Sequence, residues 1–250
     1  MDETASAGRV NAMGHPDLTR TRGVGAGFFA TWLAAVALAI GAFPPVMAQE
    51  ASPGAAATPP AVTCNVEEAV AAAPLVYTVA SEESTASYVA QEELASVGAN
   101  EVVGTTNAII GSILFDDAGL PLECSNFAVD MRTLVTDESR RDNYLRSNTL
   151  ESDTFPFATF VLGSVDGLDE GLAEGETAAA QLIGDLTLHG VTRSVIWEAE
   201  FTRDGEALTG TATTTFVLED YDMEKPIVGP VVSIGDEIVL NVEIVAATES

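Results

Sequence analysis

The sequence predicts an all-β fold, an antiparallel barrel of about eight strands with one short helix inserted. Three observations carry this expectation. From Leu75 onward, short apolar runs alternate with turns rich in Gly, Asp and Asn. No βα unit repeats, and only one densely charged helical pattern, at residues 136–148, interrupts the strands. The strands are longer than those of immunoglobulin domains, and Cys64 and Cys124 do not bracket a core Trp, so a barrel is favoured over a sandwich.

Residues 1–48 read as an export signal. Arg20 and Arg22 flank an almost unbroken apolar run at 24–43, which Pro44 and Pro45 break. Val46-Met47-Ala48 then supplies the small residues that signal peptidase takes, which predicts cleavage after Ala48 and an exported protein. The two arginines are not adjacent, so this is not a twin-arginine signal. The run is nearly long enough to span a bilayer, so an uncleaved segment holding the chain at the membrane is the alternative. Residues 49–74 are rich in Ala, Pro and Thr and read as a disordered linker, leaving 75–250 as the barrel domain. Cys64 lies far beyond the apolar run and follows Thr63, which argues against lipidation. With Cys124 as the only other cysteine, an exported chain suggests a Cys64–Cys124 disulfide, two free thiols being the alternative.

The strands follow in order. Residues 75–80 and 85–92 open the domain, and 105–115 ends at the turn cluster Asp116-Asp117-Ala118-Gly119. Over 125–134, Phe127, Val129 and Met131 alternate with Ala128, Asp130 and Arg132, the mark of a half-buried strand. Thr136 is placed to cap the helix. Asp137 with Arg141, and Asp142 with Arg146, are acid-first pairs four apart that support it. Tyr144 and Leu145 give it an apolar edge, and Asn148 is placed to end it. Strands are then expected at 157–164, 179–188, 191–203, 207–218 and 237–245. Val195, Trp197, Ala199 and Phe201 share one face of the third of these. Some strands are apolar on both faces, as at Ile109-Ile110, which fits a barrel lined for an apolar ligand and covered outside.

A net charge of −28 and a pI near 4.1 exclude nucleic acid as a partner, since that requires a basic face. The first 48 residues are neutral, with Asp2, Glu3 and Asp17 against Arg9, Arg20 and Arg22, so the acidity belongs to the remainder; it reads as solubility, with binding of cations or a basic partner as the alternative. No catalytic residue, metal site or cofactor is predicted. His189 is the only histidine after the signal and reads as an exposed turn residue before Gly190. There is no G-x-S-x-G, and the acidic loop 166–176 lacks calcium-loop spacing.

The segment RRDNYLRSNTLESDTFPFATF resembles the RD-x-HLRS-x-FF-x-x-x-x-YP-x-x-x-F signature of the YceI-like family. Arg141, Asp142, Leu145, Arg146, Ser147 and Pro156 match it, Tyr144 stands for the family's His, and Thr149-Leu150 replaces its double Phe. GDLTLHGVTR at 184–193 and GDEIVL at 235–240 resemble two later family segments, and Ser84 and Tyr88 echo a third loosely. The resemblance runs from about Leu75 to Val245. It implies a secreted, lipocalin-like barrel that binds an isoprenoid or other long-chain lipid and performs no chemistry. The alternative is a structural or interaction β-domain with a filled core.

On that reading the expected barrel lining is Ile109, Ile113 and Phe115, then Phe127, Val129 and Met131, then Phe157 and Phe160. Leu186, Trp197, Phe201 and Phe216 complete it. Arg141, Asp142, Tyr144 and Arg146 are expected at a lid or lipid headgroup, where guanidinium suits phosphate. The other reading of Arg141 and Asp142 is that they seat the helix on the barrel. Oligomeric state is left open by the sequence.

Overall fold

The computed structural model describes residues 62–168 and 170–248. The expected signal over residues 1–48, and the linker as far as residue 61, lie outside the described residues. Ten strands form one closed antiparallel sheet: β1 Leu75–Val79, β2 Thr85–Leu94, β3 Gly98–Thr106, β4 Ile109–Phe115, β5 Asn126–Asp130, β6 Phe157–Asp166, β7 Thr177–Leu188, β8 Val191–Asp204, β9 Ala207–Val217 and β10 Val231–Thr248. The barrel nevertheless has eight staves. β1 and β2 both lie along the same edge of β10, and β3 and β4 continue one another in the same way, so each pair is one bent strand.

The bends occur where the expected continuous strand 105–115 breaks. Asn107 Nδ2 donates to Ser84 O at 2.6 Å and Thr85 Oγ1 at 3.1 Å, joining the two kinks side by side. Ser84 is fully buried, and its hydroxyl accepts from Val245 N at 3.0 Å and donates to Val245 O at 3.2 Å. A kink would otherwise leave backbone groups of β10 unpaired inside the protein. Here one serine replaces the missing ladder bonds.

Every stave pairs with its neighbours in the chain, so the barrel is an up-and-down meander closed by β10 against β1 and β2. Its upper end carries the β2–β3 turn, the helical connection from β5 to β6, the β7–β8 turn and the loop from β9 to β10. The lower end carries the chain's approach to β1 and the β4–β5, β6–β7 and β8–β9 connections. His189 and Gly190 make the β7–β8 turn with φ of 48° and 74°, the two positive values that a two-residue type I′ hairpin requires.

Two expectations change. The linker expected over 49–74 contains a helix, α1 Val66–Ala72, started by Asn65, whose side chain accepts from Glu68 N, with Glu67 and Glu68 in the first turn. The approach to α1 is held against the outer wall of β7, where Val62 N donates to Asp185 Oδ2 at 2.6 Å. The inserted helix, α2 Ser139–Tyr144, is capped by Glu138 rather than Thr136 and runs on as a π-turn over Leu145–Thr149. The left-handed residue that follows it is Glu151, φ 43°, not Asn148.

Cys64 and Cys124 are bonded, with Cα atoms 5.7 Å apart and a sequence separation of 60. Closing so long a loop restricts the unfolded chain. Replacing both cysteines by serine is expected to lower unfolding free energy by about 4 kcal/mol, read from denaturant midpoints at unchanged slope.

A hollow barrel with a lidded upper end

The period of two along each strand decides which side chains enter the barrel. Ala158, Phe160 and Leu162 of β6 point inward, as do Leu182, Gly184 and Leu186 of β7 and Trp197, Ala199 and Phe201 of β8. Phe157 corrects the expected lining. It sits three residues before Phe160, so it has the opposite parity; it is 43% exposed, with Arg132 stacked 5.6 Å from its ring.

Large inward rings need room, and glycines on neighbouring strands supply it. A Cβ on Gly184 would come within 2.7 Å of the Phe160 ring, and one on Gly104 within 2.2 Å of the Tyr88 ring. These two rings therefore lie against the wall over the glycines. Two cavities remain, one above the other. The lower, about 90 Å³, is bounded by Ile113, Phe115, Phe127, Phe160 and Phe201 among others. The upper, about 60 Å³, is bounded by Tyr88, Val129, Met131, Leu134, Leu186 and Trp197 among others, with Phe127 again on its wall.

An aromatic waist separates the cavities. Phe127 and Phe160 stand 5.5 Å apart, and Trp197 meets each of them at 5.8 Å, edge to face. The other two expected lining residues stand apart from both spaces. Ile109 is fully buried in the same interior cluster but lines neither cavity. Phe216 packs against that cluster and edge-on to Tyr221 at 5.4 Å.

The four expected lid residues sit above the upper cavity and line neither cavity. Asp142 is buried and pairs with no arginine. It accepts from Thr136 N at 2.9 Å and Thr136 Oγ1 at 2.6 Å, closing the loop before α2. Arg146 does not reach Asp142 either; it donates to Leu134 O at 2.9 Å and Asn143 Oδ1 at 3.0 Å, holding down a residue that lines the upper cavity. Arg141 pairs with exposed Asp137 at 2.5 Å and with buried Glu92 of β2 at 3.3 Å. Glu92 also accepts from Asn100 Nδ2 of β3 at 2.9 Å. Tyr144 is half-buried on the same helix.

Sequence reasoning missed Glu92 and Tyr88, although Ala86, Tyr88, Ala90 and Glu92 share one face of β2. An acid on an otherwise apolar face was the available signal for Arg141's partner. Burial pushes the Tyr88 hydroxyl up to about 12, the nearby Arg141 charge acting in the opposite direction.

His189 is likewise not the exposed turn residue expected; its side chain is 13% exposed. Nε2 lies 2.8 Å from Glu151 Oε2, Nδ1 lies 3.3 Å from Tyr221 O, and Phe155 packs on the ring at 4.5 Å. One side chain thus ties together three of the connections at the upper end.

A closed up-and-down barrel with an apolar, waisted interior and a helical lid defines the lipocalin-like class. The family model for the YceI-like domain matches residues 77–246, and the chain belongs to that family. A UPF0312 protein of Vibrio vulnificus strain YJ016 is 30% identical over 142 residues, covering 55% of this chain and 71% of that protein. Another from Ectopseudomonas mendocina is 30% identical over 158 residues, covering 60% and 78%. Among solved structures, a polyisoprenoid binding domain from Saccharophagus degradans superposes with a TM-score of 0.56 at 18% identity, over 70% of this chain and 99% of that one. BcnA of Burkholderia cenocepacia gives 0.54 at 17% identity, over 68% and 99%. These two likenesses are of fold.

Two outcomes follow from the lid. Asp142→Ala removes the acceptor of two Thr136 donors and is expected to lower stability by about 1–3 kcal/mol, with a matching fall in melting temperature. Tyr88 keeps its proton to about pH 12 in the folded state. The unfolded chain releases it near pH 10, so the native state binds more protons between those values and stability falls as pH rises through them. Tyr88→Phe is expected to remove a fall on the order of 2 kcal/mol over that window, measured by urea unfolding at stepped pH.

Proposed function

We propose that this protein is an exported lipid carrier that holds a long apolar isoprenoid-type chain along the barrel axis and performs no chemistry on it. The observation that carries this reading is the pair of apolar cavities stacked along the barrel axis. A structural domain with a filled core has no need of such spaces, or of Gly104 and Gly184 beneath the Tyr88 and Phe160 rings. The likeness of fold to the polyisoprenoid binding domain from Saccharophagus degradans supports the choice of ligand class. Membership of the YceI-like family supports a binding protein over an enzyme. Export rests on the sequence of residues 1–48.

Each cavity is smaller than the roughly 150 Å³ apolar cavity that accepts one benzene molecule. At about 90 and 60 Å³, neither holds a chain of several isoprene units as it stands. Loading therefore requires Phe127, Phe160 and Trp197 to swing aside and join the cavities into one tunnel. Each methylene equivalent then buried contributes about 0.8 kcal/mol, which is the driving force for the rearrangement.

Native mass spectrometry of the protein from its own host is expected to show a co-purified lipid of isoprenoid mass spacing. Ile113→Asp or Phe127→Asp is expected to abolish that species while the far-ultraviolet circular dichroism of the barrel persists. Protein that carries no lipid, and that takes none up when offered a long isoprenoid alcohol in detergent, would overturn the proposal.

A further inference from the structure

The upper rim carries a second feature that the lid does not account for. β9 ends at Val217, opposite Glu237, so the first residues of β10 pair with β2 alone, and β3 continues that sheet outward. The result is a three-stranded flap that rises above the closed barrel. Its tip is made by two segments, the β2–β3 turn and the loop leading into β10, joined by Ala95 N donating to Pro230 O at 2.9 Å and by the pairing of Val231 with Leu94.

The tip is apolar in an otherwise acidic chain. Val97 is 72% exposed and Val232 56%, with Ile227 and Val228 exposed beside them. Val232 lies at a register shift between Val231 and Ser233, where a strand with an extra residue turns a side chain away from its ladder. The sequences that meet there, LASVGAN at 94–100 and PIVGPVVSIG at 226–235, contain no ionisable residue, in a chain whose net charge is −28. Below the tip stands a mainly acidic collar of Glu93, Glu101, Glu224, Asp236 and Glu237, with Lys225 paired to Asp236. Exposed β-branched residues rimmed by charge mark an interaction site.

We propose that this tip is a docking point for the surface of a neutral lipid bilayer, through which the barrel exchanges its ligand. The proposal rests on the lipid-carrying reading above. The acidic collar decides the chemistry of the partner: it tolerates zwitterionic headgroups and is repelled by anionic ones, since exposed like charges repel within about 10 Å at 0.1 M salt. The tip is also at the lidded end of the barrel, where Glu92 of β2 and Arg141 of α2 join the flap that bears it to the lid.

Among the described residues no cysteine is free, so a single cysteine placed at Val97 in the full chain accepts an environment-sensitive fluorophore at one point. The same label at Glu206, in the lower turn between β8 and β9, is the control. With phosphatidylcholine vesicles the label at 97 is expected to shift to the blue and that at 206 to stay unchanged, whatever the N-terminal segment does. Replacing a third of the lipid by phosphatidylglycerol is expected to weaken the shift several-fold, and added salt to restore it. Val232→Asp is expected to abolish the shift and to slow uptake of an isoprenoid alcohol from vesicles at least several-fold, with uptake from detergent unchanged.

Equal shifts at 97 and 206, no shift at either, or a shift at 97 that depends on protein concentration without vesicles would overturn the docking point. The last of these would assign the tip to a second copy of the chain. Failure of uptake from both vesicles and detergent would instead sink the lipid-carrying reading and leave the vesicle shift to be judged alone.

Discussion

The structure depends on the closure of one sheet on itself. β10, 18 residues long, offers one edge to β9 and the other to both β2 and β1, and without that double use the meander would be an open sheet with two exposed edges. Closure imposes curvature, and the bent staves supply it. The corner between β1 and β2 is compatible with a continuous ladder only because Ser84 substitutes its hydroxyl for backbone groups at Val245. Asn107 then forces the neighbouring stave to bend at the same level. The width of the interior is set by the number of staves and their stagger, and these few polar contacts satisfy the backbone where two of the staves bend.

Width alone does not leave a cavity, because eight-stranded barrels are narrow enough for side chains to fill. What differs here is the pairing of large and absent side chains on adjacent staves. A ring that faces a glycine can fold flat; a ring that faces a valine must project toward the axis. Phe160 lies over Gly184 and Tyr88 over Gly104, and the lower cavity is bounded by Phe160 and Phe201. At the waist Trp197 meets Phe127 and Phe160 edge to face while those two rings are tilted to each other, aromatic contacts worth roughly 0.5–1.5 kcal/mol per pair beyond burial. That is a barrier a buried isoprene unit of five carbons can offset.

Much of this was legible beforehand where the signal was local. Alternation placed Phe127, Val129 and Met131 on one face, and the paired positive-φ turn at His189-Gly190 follows from a Gly between two β-rich runs. The lining failed at Phe157 because aromatic composition was allowed to outweigh parity. The helix was found, yet its partners were misassigned: four-residue spacing suggested Asp142 with Arg146, whereas tertiary contacts gave Asp142 to Thr136 and Arg146 to Leu134 O. Spacing reports which side chains are neighbours on an isolated helix and is blind to a loop carbonyl brought in from outside. Glu92, His189 with Glu151, and Asn65 with its short helix were missed for a related reason, since each partner or anchor lies elsewhere in the chain or depends on a disulfide.

The lid can be understood through the difference between its two arginines. Arg146 bonds to a backbone carbonyl and to its own helix, so it is bound up with whether the lid segment keeps its shape. Arg141 reaches across to a carboxylate buried on β2, side chains 22% and 4% exposed, and breaking that contact leaves Glu92 with Asn100 as its remaining partner. Its other partner, Asp137, is 86% exposed and contributes little. The contact between Arg141 and Glu92 joins the lid to the flap at the rim, above the Tyr88 and Leu134 side chains that bound the upper cavity.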